Sequence, residues 1–445
     1  MRLSETVKYY KSSERHLPRL ISLAFFATSF LLACQGQEPP VRDDSKIAYA
    51  TSERHRADAF DSEKKPRDEP NDNEFESQPI QEIKNIIEGA CKKNHIIGRL
   101  AKPQPNQVFQ RGPDNTARIP IQLTVATDAG QGFFQSRLLS SNGSLIKPWT
   151  KVNGNHSPGV VFNSFIIANP GLYALEVRYV NESTEACESV RVANVGVGEV
   201  FITAGQSNST NAGNVKLSPQ SGMVFATDLS TWKIAQDPQP IATGAGGSPW
   251  PILGDMLAKH LSMPVGFVSI GWGATHVALW LPGASGQTAF GAFSPNQLFG
   301  RFESAVNGLG LNGARAVLWH QGESDTMLGT LRDPYASSLK SLILKSREKA
   351  GYPLSWYVAI ASYAGATTQN QRCPNHDRVC LAELYKTALA QDDVIKSGIP
   401  NVFRGPVTDD IKGSATRYDD LHFNEAGLRE HARRWFDALK PQLPQ

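Results

Sequence analysis

The chain has 445 residues, 45 Lys and Arg against 42 Asp and Glu for a formal net charge of +3, and 40% hydrophobic residues. That length suffices for two or three domains with sizeable cores. The charge is too balanced to predict nucleic acid or an anionic membrane surface as a partner.

At the N-terminus a basic stretch with Lys8, Lys11, Arg15 and Arg19 precedes the apolar run Leu20 to Ala33, which ends in Leu31-Leu32-Ala33-Cys34. At about 1.5 Å rise per residue this run reaches roughly 21 Å, short of a roughly 30 Å hydrocarbon core, so it reads as an export signal and not as a permanent span. Small residues before a cysteine resemble the bacterial lipobox. The resemblance implies that residues 1–34 are a lipoprotein signal peptide and that Cys34 carries a lipid anchor to the membrane. Gln35 in place of Asp implies, on the same resemblance, an exported protein held at the outer membrane.

Residues 35–85 are rich in charge and poor in large apolar side chains, as in Ser62-Glu63-Lys64-Lys65-Pro66-Arg67-Asp68-Glu69-Pro70. Such a segment buries too little to order itself and is expected to be a disordered tether.

Residues 86–195 carry short alternating segments, Arg118 to Ala126, Gly159 to Ile167, Gly171 to Val180 and Glu188 to Val192, separated by turn residues. Period-two patterning at this spacing predicts a small, Ig-like β-sandwich, either a carbohydrate-binding module or a packing partner for the C-terminal part of the chain.

Residues 196–445 alternate strand-like and helical segments. The expected strands are Glu199 to Ala204, Val265 to Ile270, Ala314 to Trp319, Ser355 to Ala361 and Asn401 to Arg404. The expected helices are Trp250 to Leu261, Gln297 to Leu309, Pro334 to Ala350 with Asp333 as its cap, Leu381 to Ser397, and Glu425 to Leu439. This order implies a parallel sheet covered on both faces, a three-layer α/β/α, flavodoxin-like domain whose ligand sits at the carboxyl ends of the strands.

With Cys34 lipidated, Cys91, Cys187, Cys373 and Cys380 remain, and an exported compartment allows two disulfides. Proximity pairs Cys373 with Cys380 and leaves Cys91 with Cys187. His376 alone is thin support for zinc, and no metal is expected.

Four stretches fall just after expected strands or beside the last helix. Ser207, in Gly205-Gln206-Ser207-Asn208, ends a strand where backbone N–H groups can face a developing oxyanion. His422, in Asp419-Asp420-Leu421-His422, sits close enough to Asp419 for the carboxylate to fix its tautomer. Between them lie Gly271-Trp272-Gly273-Ala274-Thr275 and Trp319-His320-Gln321-Gly322-Glu323-Ser324.

In this order, the four blocks resemble the sialate O-acetylesterase-like branch of the SGNH hydrolases, related to carbohydrate acetylesterases, over roughly residues 196–440. The resemblance implies an SGNH-hydrolase fold and a serine esterase that needs no cofactor and removes O-acetyl groups from a carbohydrate. It makes Ser207 the nucleophile, His422 the base and Asp419 its orienting partner. The oxyanion hole would comprise the Ser207 N–H, the Gly273 N–H and the Gln321 side-chain amide. Ala274 stands where the pattern has a second glycine, which leaves open whether Gly273 or a neighbour donates. Trp280 and Glu323 are the substrate-binding candidates, Trp280 either walling the acyl pocket or packing in the core. Asp325, His276 and His320 are polar neighbours suited to fixing loops. Leu281 to Gln297 and the Cys373 to Cys380 loop are expected to line a sugar pocket. The competing readings are a surface glycan-binding or adhesion lipoprotein with a degenerate hydrolase domain, and a lipase or thioesterase of the same fold.

Overall fold

A computed structural model describes residues 97–125, 132–154, 160–181, 187–375 and 377–443. The expected signal peptide and tether, Cys34, Cys91, the side chain of Cys187, and His376 lie outside the described residues.

The N-terminal lobe is built from two facing sheets. One contains β1 (Ile97–Lys102), β3 (Ala117–Val125) and β6 (Val161–Ala168), all antiparallel. The other holds β2 (Val108–Gln110), β4 (Gly132–Ser140), β5 (Leu145–Val152), β7 (Gly171–Asn181) and the first half of β8 (Cys187–Gly205), in the order β5-β4-β7-β8-β2. Alternate residues point inward, so Ile119, Ile121, Leu123, Phe134, Phe162, Leu175 and Val177 form one buried cluster between the sheets. β4 and β5 go beyond the sequence expectation. In β5 seven of eight residues are at least partly exposed, so the strand lacks the apolar alternation that marks a half-buried one.

β8 joins the two lobes. The sequence suggested two separate strands here, but one strand spans all 19 residues, with a bulge where Asn194 takes a φ of +56°. Its first part pairs with β7 and its second with the central sheet. Gly198 makes the crossing possible, since a Cβ there would lie 1.9 Å from the Pro264 carbonyl oxygen. Buried Glu199 clamps the junction, accepting from Arg111 Nε at 2.7 Å and Arg315 Nε at 2.6 Å. Such a buried cluster tolerates loss of one partner poorly, because a charge is left unpaired.

The central sheet of the second lobe runs β10 (Trp232–Ile234), β9 (Val224–Thr227), β11 (Val265–Ser269), β8, β14 (Ala316–His320), β15 (Ser355–Ile360), β16 (Val402–Val407), parallel except for β10. A small hairpin of β12 (Gly286–Thr288) and β13 (Gly291–Phe293) stands apart. The helices are α1 (Trp250–Leu261), α2 (Gln297–Leu309), α3 (Glu323–Leu328), α4 (Arg332–Ala350), α5 (Ala366–Arg372), α6 (Arg378–Leu384), α7 (Lys386–Ile395) and α8 (Glu425–Leu439).

Both faces of the sheet are buried. Ile202, Val268, Val317 and Val358 pack with Phe302 of α2, Leu339 and Ile343 of α4 and Ala390 of α7. Their neighbours Phe201, Phe267, Leu318 and Tyr357 pack on the other face with Leu253 and Leu257 of α1 and Trp435 of α8. The three-layer α/β/α fold is the consequence of these two cores, one per face.

Two helix expectations are corrected. The segment Leu381 to Ser397 is not one helix: α6 and α7 meet at Tyr385, which leaves the helical region at φ −85° and ψ 4°. Asp333 is not a cap either, because α4 starts at Arg332 after Leu331 and places Asp333 in the first turn.

Candidate active site

β8 ends at Gly205, whose φ is +126° and where a Cβ would lie 2.0 Å from the His320 carbonyl oxygen, so only glycine fits between the two strand ends. The chain then tightens into a single 3-10 turn, Ser207–Ser209. The turn is tied down by Thr210, whose N–H and hydroxyl both donate to the Ser207 carbonyl at 2.9 and 2.8 Å. Trp250 Nε1 donates to the Ser209 carbonyl at 3.0 Å. The Ser207 hydroxyl is buried and has no hydrogen-bond partner.

The loop before α8 presents His422. Asp419 Oδ2 lies 2.6 Å from His422 Nδ1, while its Oδ1 accepts the backbone N–H groups of His422 at 2.6 Å and Leu421 at 3.0 Å. Burial alone would raise the Asp419 carboxyl, but the His422 hydrogen bond and charge and these N–H groups hold it below its ordinary value. An ionised Asp419 only accepts, so Nδ1 carries a proton, and in the neutral ring Nε2 is the nitrogen with the lone pair. Nε2 is buried and, like the serine hydroxyl, without a partner.

Two buried groups hold this loop to the rest. The Arg417 guanidinium donates to the carbonyls of Ile411, at 2.6 Å, and Leu421, and stacks 4.2 Å over Phe423. Asn208, next to Ser207, donates from Nδ2 to the Leu421 carbonyl at 3.3 Å and to Glu323 Oε1 at 2.8 Å. The structure therefore brings Ser207, Asp419 and His422 to one end of the parallel sheet, although the serine and the histidine stand more than 200 residues apart in the chain.

Four of the expected site residues have partners inside the protein. The Gly273 N–H donates to Thr243 Oγ1 at 2.7 Å and is committed within the protein. A Cβ at Gly273 would lie 2.2 Å from the Phe290 ring, so the glycine leaves room for that side chain. Gln321 is fully buried, and its Nε2 is within reach of Asp325 Oδ2 at 2.6 Å, Gln206 Oε1 at 3.1 Å and the Thr275 carbonyl at 3.1 Å. Tyr335 donates to its Oε1 at 2.9 Å, so this amide ties several elements together. Trp280 is completely buried among Trp319 and Phe302, with Nε1 donating to Thr275 Oγ1 at 2.9 Å, and belongs to the core instead of walling a pocket. Glu323 is 2% exposed, as deeply buried as Ser207 and His422, and accepts from Asn208.

Sequence reasoning also missed groups that hold the blocks together. Gln206 Oε1 accepts the N–H groups of Gly322 at 3.2 Å and Ser324 at 3.0 Å, anchoring the start of α3. Its place beside Ser207 was the available signal. Thr243, in a loop without a motif, carried none. Asp325 accepts the Val277 N–H at 2.9 Å, and burial raises its carboxyl while lowering the nearby His276.

One of the two expected lining segments is seen against these blocks. Trp272 Nε1 donates to Thr288 Oγ1 of the hairpin at 3.1 Å, placing part of Leu281 to Gln297 against the second block. Cys373 and Cys380 form a disulfide. Thr367 of the preceding helix α5 donates its N–H to Asp420 Oδ2 at 3.1 Å. Tyr363 donates to Asp420 Oδ1 at 2.8 Å, and burial together with that carboxylate pushes its hydroxyl up to about 12.

Comparison with known proteins matches residues 197–440, more than half of the chain, to the family described as carbohydrate esterase, sialic acid-specific acetylesterase. No curated protein sequence matches significantly. Among solved structures, the chain is similar to a carbohydrate acetylesterase from Xanthomonas citri, with 16% identity, a TM-score of 0.46, and coverage of 78% of this chain and 74% of that one. It is also similar to a protein from Arabidopsis thaliana, with 18% identity, a TM-score of 0.42, and coverage of 55% and 99%. A peptidoglycan O-acetylesterase shows 12% identity, a TM-score of 0.28, and coverage of 79% and 78%.

Proposed function

The chain belongs to the carbohydrate esterase family of sialic acid-specific acetylesterases, and we propose that it removes O-acetyl groups from a sugar through an acyl-enzyme formed on Ser207. The observation that carries this is the presence of two buried atoms without partners, Ser207 Oγ and His422 Nε2, in loops at the end of one sheet. Asp419 fixes the tautomer that leaves Nε2 basic.

In the reaction, Ser207 Oγ forms a bond to the acetyl carbonyl carbon as its proton passes to His422 Nε2. Collapse of the tetrahedral adduct breaks the bond to the sugar oxygen, which takes that proton and leaves as an alcohol. Water then attacks the acetyl-serine, giving its proton to His422, and acetate departs as the serine regains a hydrogen. The Ser207 N–H is one oxyanion donor. With the Gly273 N–H and the Gln321 amide committed elsewhere, the Ala274 N–H takes the second place in this reading. Ala274 sits at φ +58°, a left-handed turn that reorients the peptide following Gly273.

Purified protein is expected to hydrolyse a short aryl acetate and acetylated sugars with chelator present, while Ser207→Ala loses roughly a million-fold in kcat. A wild type inactive on every ester would favour the glycan-binding reading instead, and activity that rises with acyl length would point to a lipase. The export signal and Cys34 support a membrane-anchored, exported location, so Cys34→Ser should release the protein into the soluble fraction; continued sedimentation with membranes would remove the lipid anchor from the proposal.

A further inference from the structure

Behind Ser207 runs a second buried polar chain that the hydrolysis scheme does not use. Trp435 Nε1 lies 2.9 Å from His431 Nε2, and His320 Nδ1 lies 2.9 Å from the same atom. An indole N–H can only donate, so His431 Nε2 is a bare acceptor and the proton of that ring sits on Nδ1. His320 Nδ1 must then also carry a proton, since two lone pairs at 2.9 Å would repel. On the far side of the same ring, His320 Nε2 faces Glu323 Oε1 at 3.4 Å. With Glu323 ionised, that contact is attractive only if Nε2 is protonated too, and this geometry makes His320 an imidazolium against a buried carboxylate.

Glu323 behaves as such a partner. Burial alone would raise its carboxyl, yet the charge and hydrogen bond of His320 and the hydrogen bond from Asn208 hold it below the usual carboxylate value. His431 is pushed well below the ordinary histidine value, first by burial and then by the charge of His320, so a single proton beyond neutrality resides on the pair. The other charged groups bearing on this chain are Arg417 and Asp409, from the loops between β16 and α8, and Arg434 of α8.

We propose that His320 and Glu323 form a buried ion pair that positions the nucleophile through Asn208, with His431 and Trp435 fixing the proton that creates it. Asn208 has two amide protons; one goes to Glu323 and the other to the Leu421 carbonyl, next to His422. The carboxylate thereby orients the amide that sets the separation of the serine turn and the histidine loop. None of these side chains touches substrate, so they are positioning residues, and their role rests on the proposed esterase activity.

Two measurements on the purified protein test this. In aryl acetate hydrolysis, Glu323→Gln is expected to lower kcat by about 10- to 100-fold, the cost of misplacing a catalytic pair by around an ångström, with KM within twofold. In an Asn208→Ala background the same substitution should have no further effect, because both act through one amide. Glu323→Asp, which keeps the charge but shortens the reach to Asn208, serves if Glu323→Gln does not fold, with the same kcat loss expected. Nitrogen NMR of labelled histidines, which needs no activity, should show His320 protonated on both ring nitrogens and His431 on Nδ1 alone. A neutral His320, a kcat unchanged in folded Glu323→Gln, or additive losses in the double variant would overturn the inference while leaving the esterase standing. An inactive wild type with the imidazolium present would instead remove the esterase reading and, with it, the positioning role.

Discussion

The molecule holds two buried histidine clusters on either side of the serine turn, and they handle protons in opposite ways. At His422 one carboxylate takes Nδ1 and nothing takes Nε2. At His320 and His431 the nitrogens that face each other, Trp435 and Glu323 are all committed to protein partners. Residue type and burial are the same in both places. The proposed base has no partner on Nε2, whereas among the ring nitrogens of the brace only His431 Nδ1 is without one.

The sharpest way to break this contrast is Asp419→Asn. An amide can offer its N–H to Nδ1, which turns the ring to the wrong tautomer and removes the lone pair from Nε2. The expected result is a loss of up to ~10,000-fold in kcat with the fold retained, measured on an aryl acetate. A loss below tenfold would mean that Asp419 does not set the tautomer.

The brace should respond in stability. His431→Phe leaves Trp435 Nε1 and His320 Nδ1 buried without their acceptor, at a cost of about 3 kcal/mol in urea unfolding. The pH dependence has a definite sign. Folded His431 stays neutral because burial depresses its affinity for a proton, whereas the unfolded chain takes one up below about pH 6.5. The unfolded state then binds more protons, so stability is full above that pH and falls as pH drops, by up to ~1.4 kcal/mol per pH unit for this group. Relative to the wild type, His431→Phe should show a flatter decline between about pH 6.5 and 5. Parallel curves would show that His431 titrates alike in both states.

The same division between local and spatial information runs through the fold. The helices Trp250–Leu261, Gln297–Leu309 and Glu425–Leu439 stand at the residues expected from sequence. So do most strands of the central sheet, because apolar periodicity is a local property that survives folding. β4 and β5 were illegible because one is paired on both sides and the other is an exposed edge, a difference made by neighbours and not by their own residues. β8 read as two strands because Gly196 and Gly198 look like a turn, whereas they are the points where the backbone passes close to Pro264.

At the site, the proposed serine, aspartate and histidine could be named from sequence through the four blocks together, since a serine at a strand end, or an aspartate three residues before a histidine, is a weak signal alone. Those are short-range patterns, fixed by what a tight turn and an imidazole need. Which of the remaining polar groups are free was settled by the folded chain alone. Gln321, Gly273, Glu323 and Trp280 carry suitable atoms, and each has partners from other elements that only the folded chain reveals. Hydrogen-bond capacity is written in the residue; whether it is already used depends on neighbours that folding brings within about 3 Å.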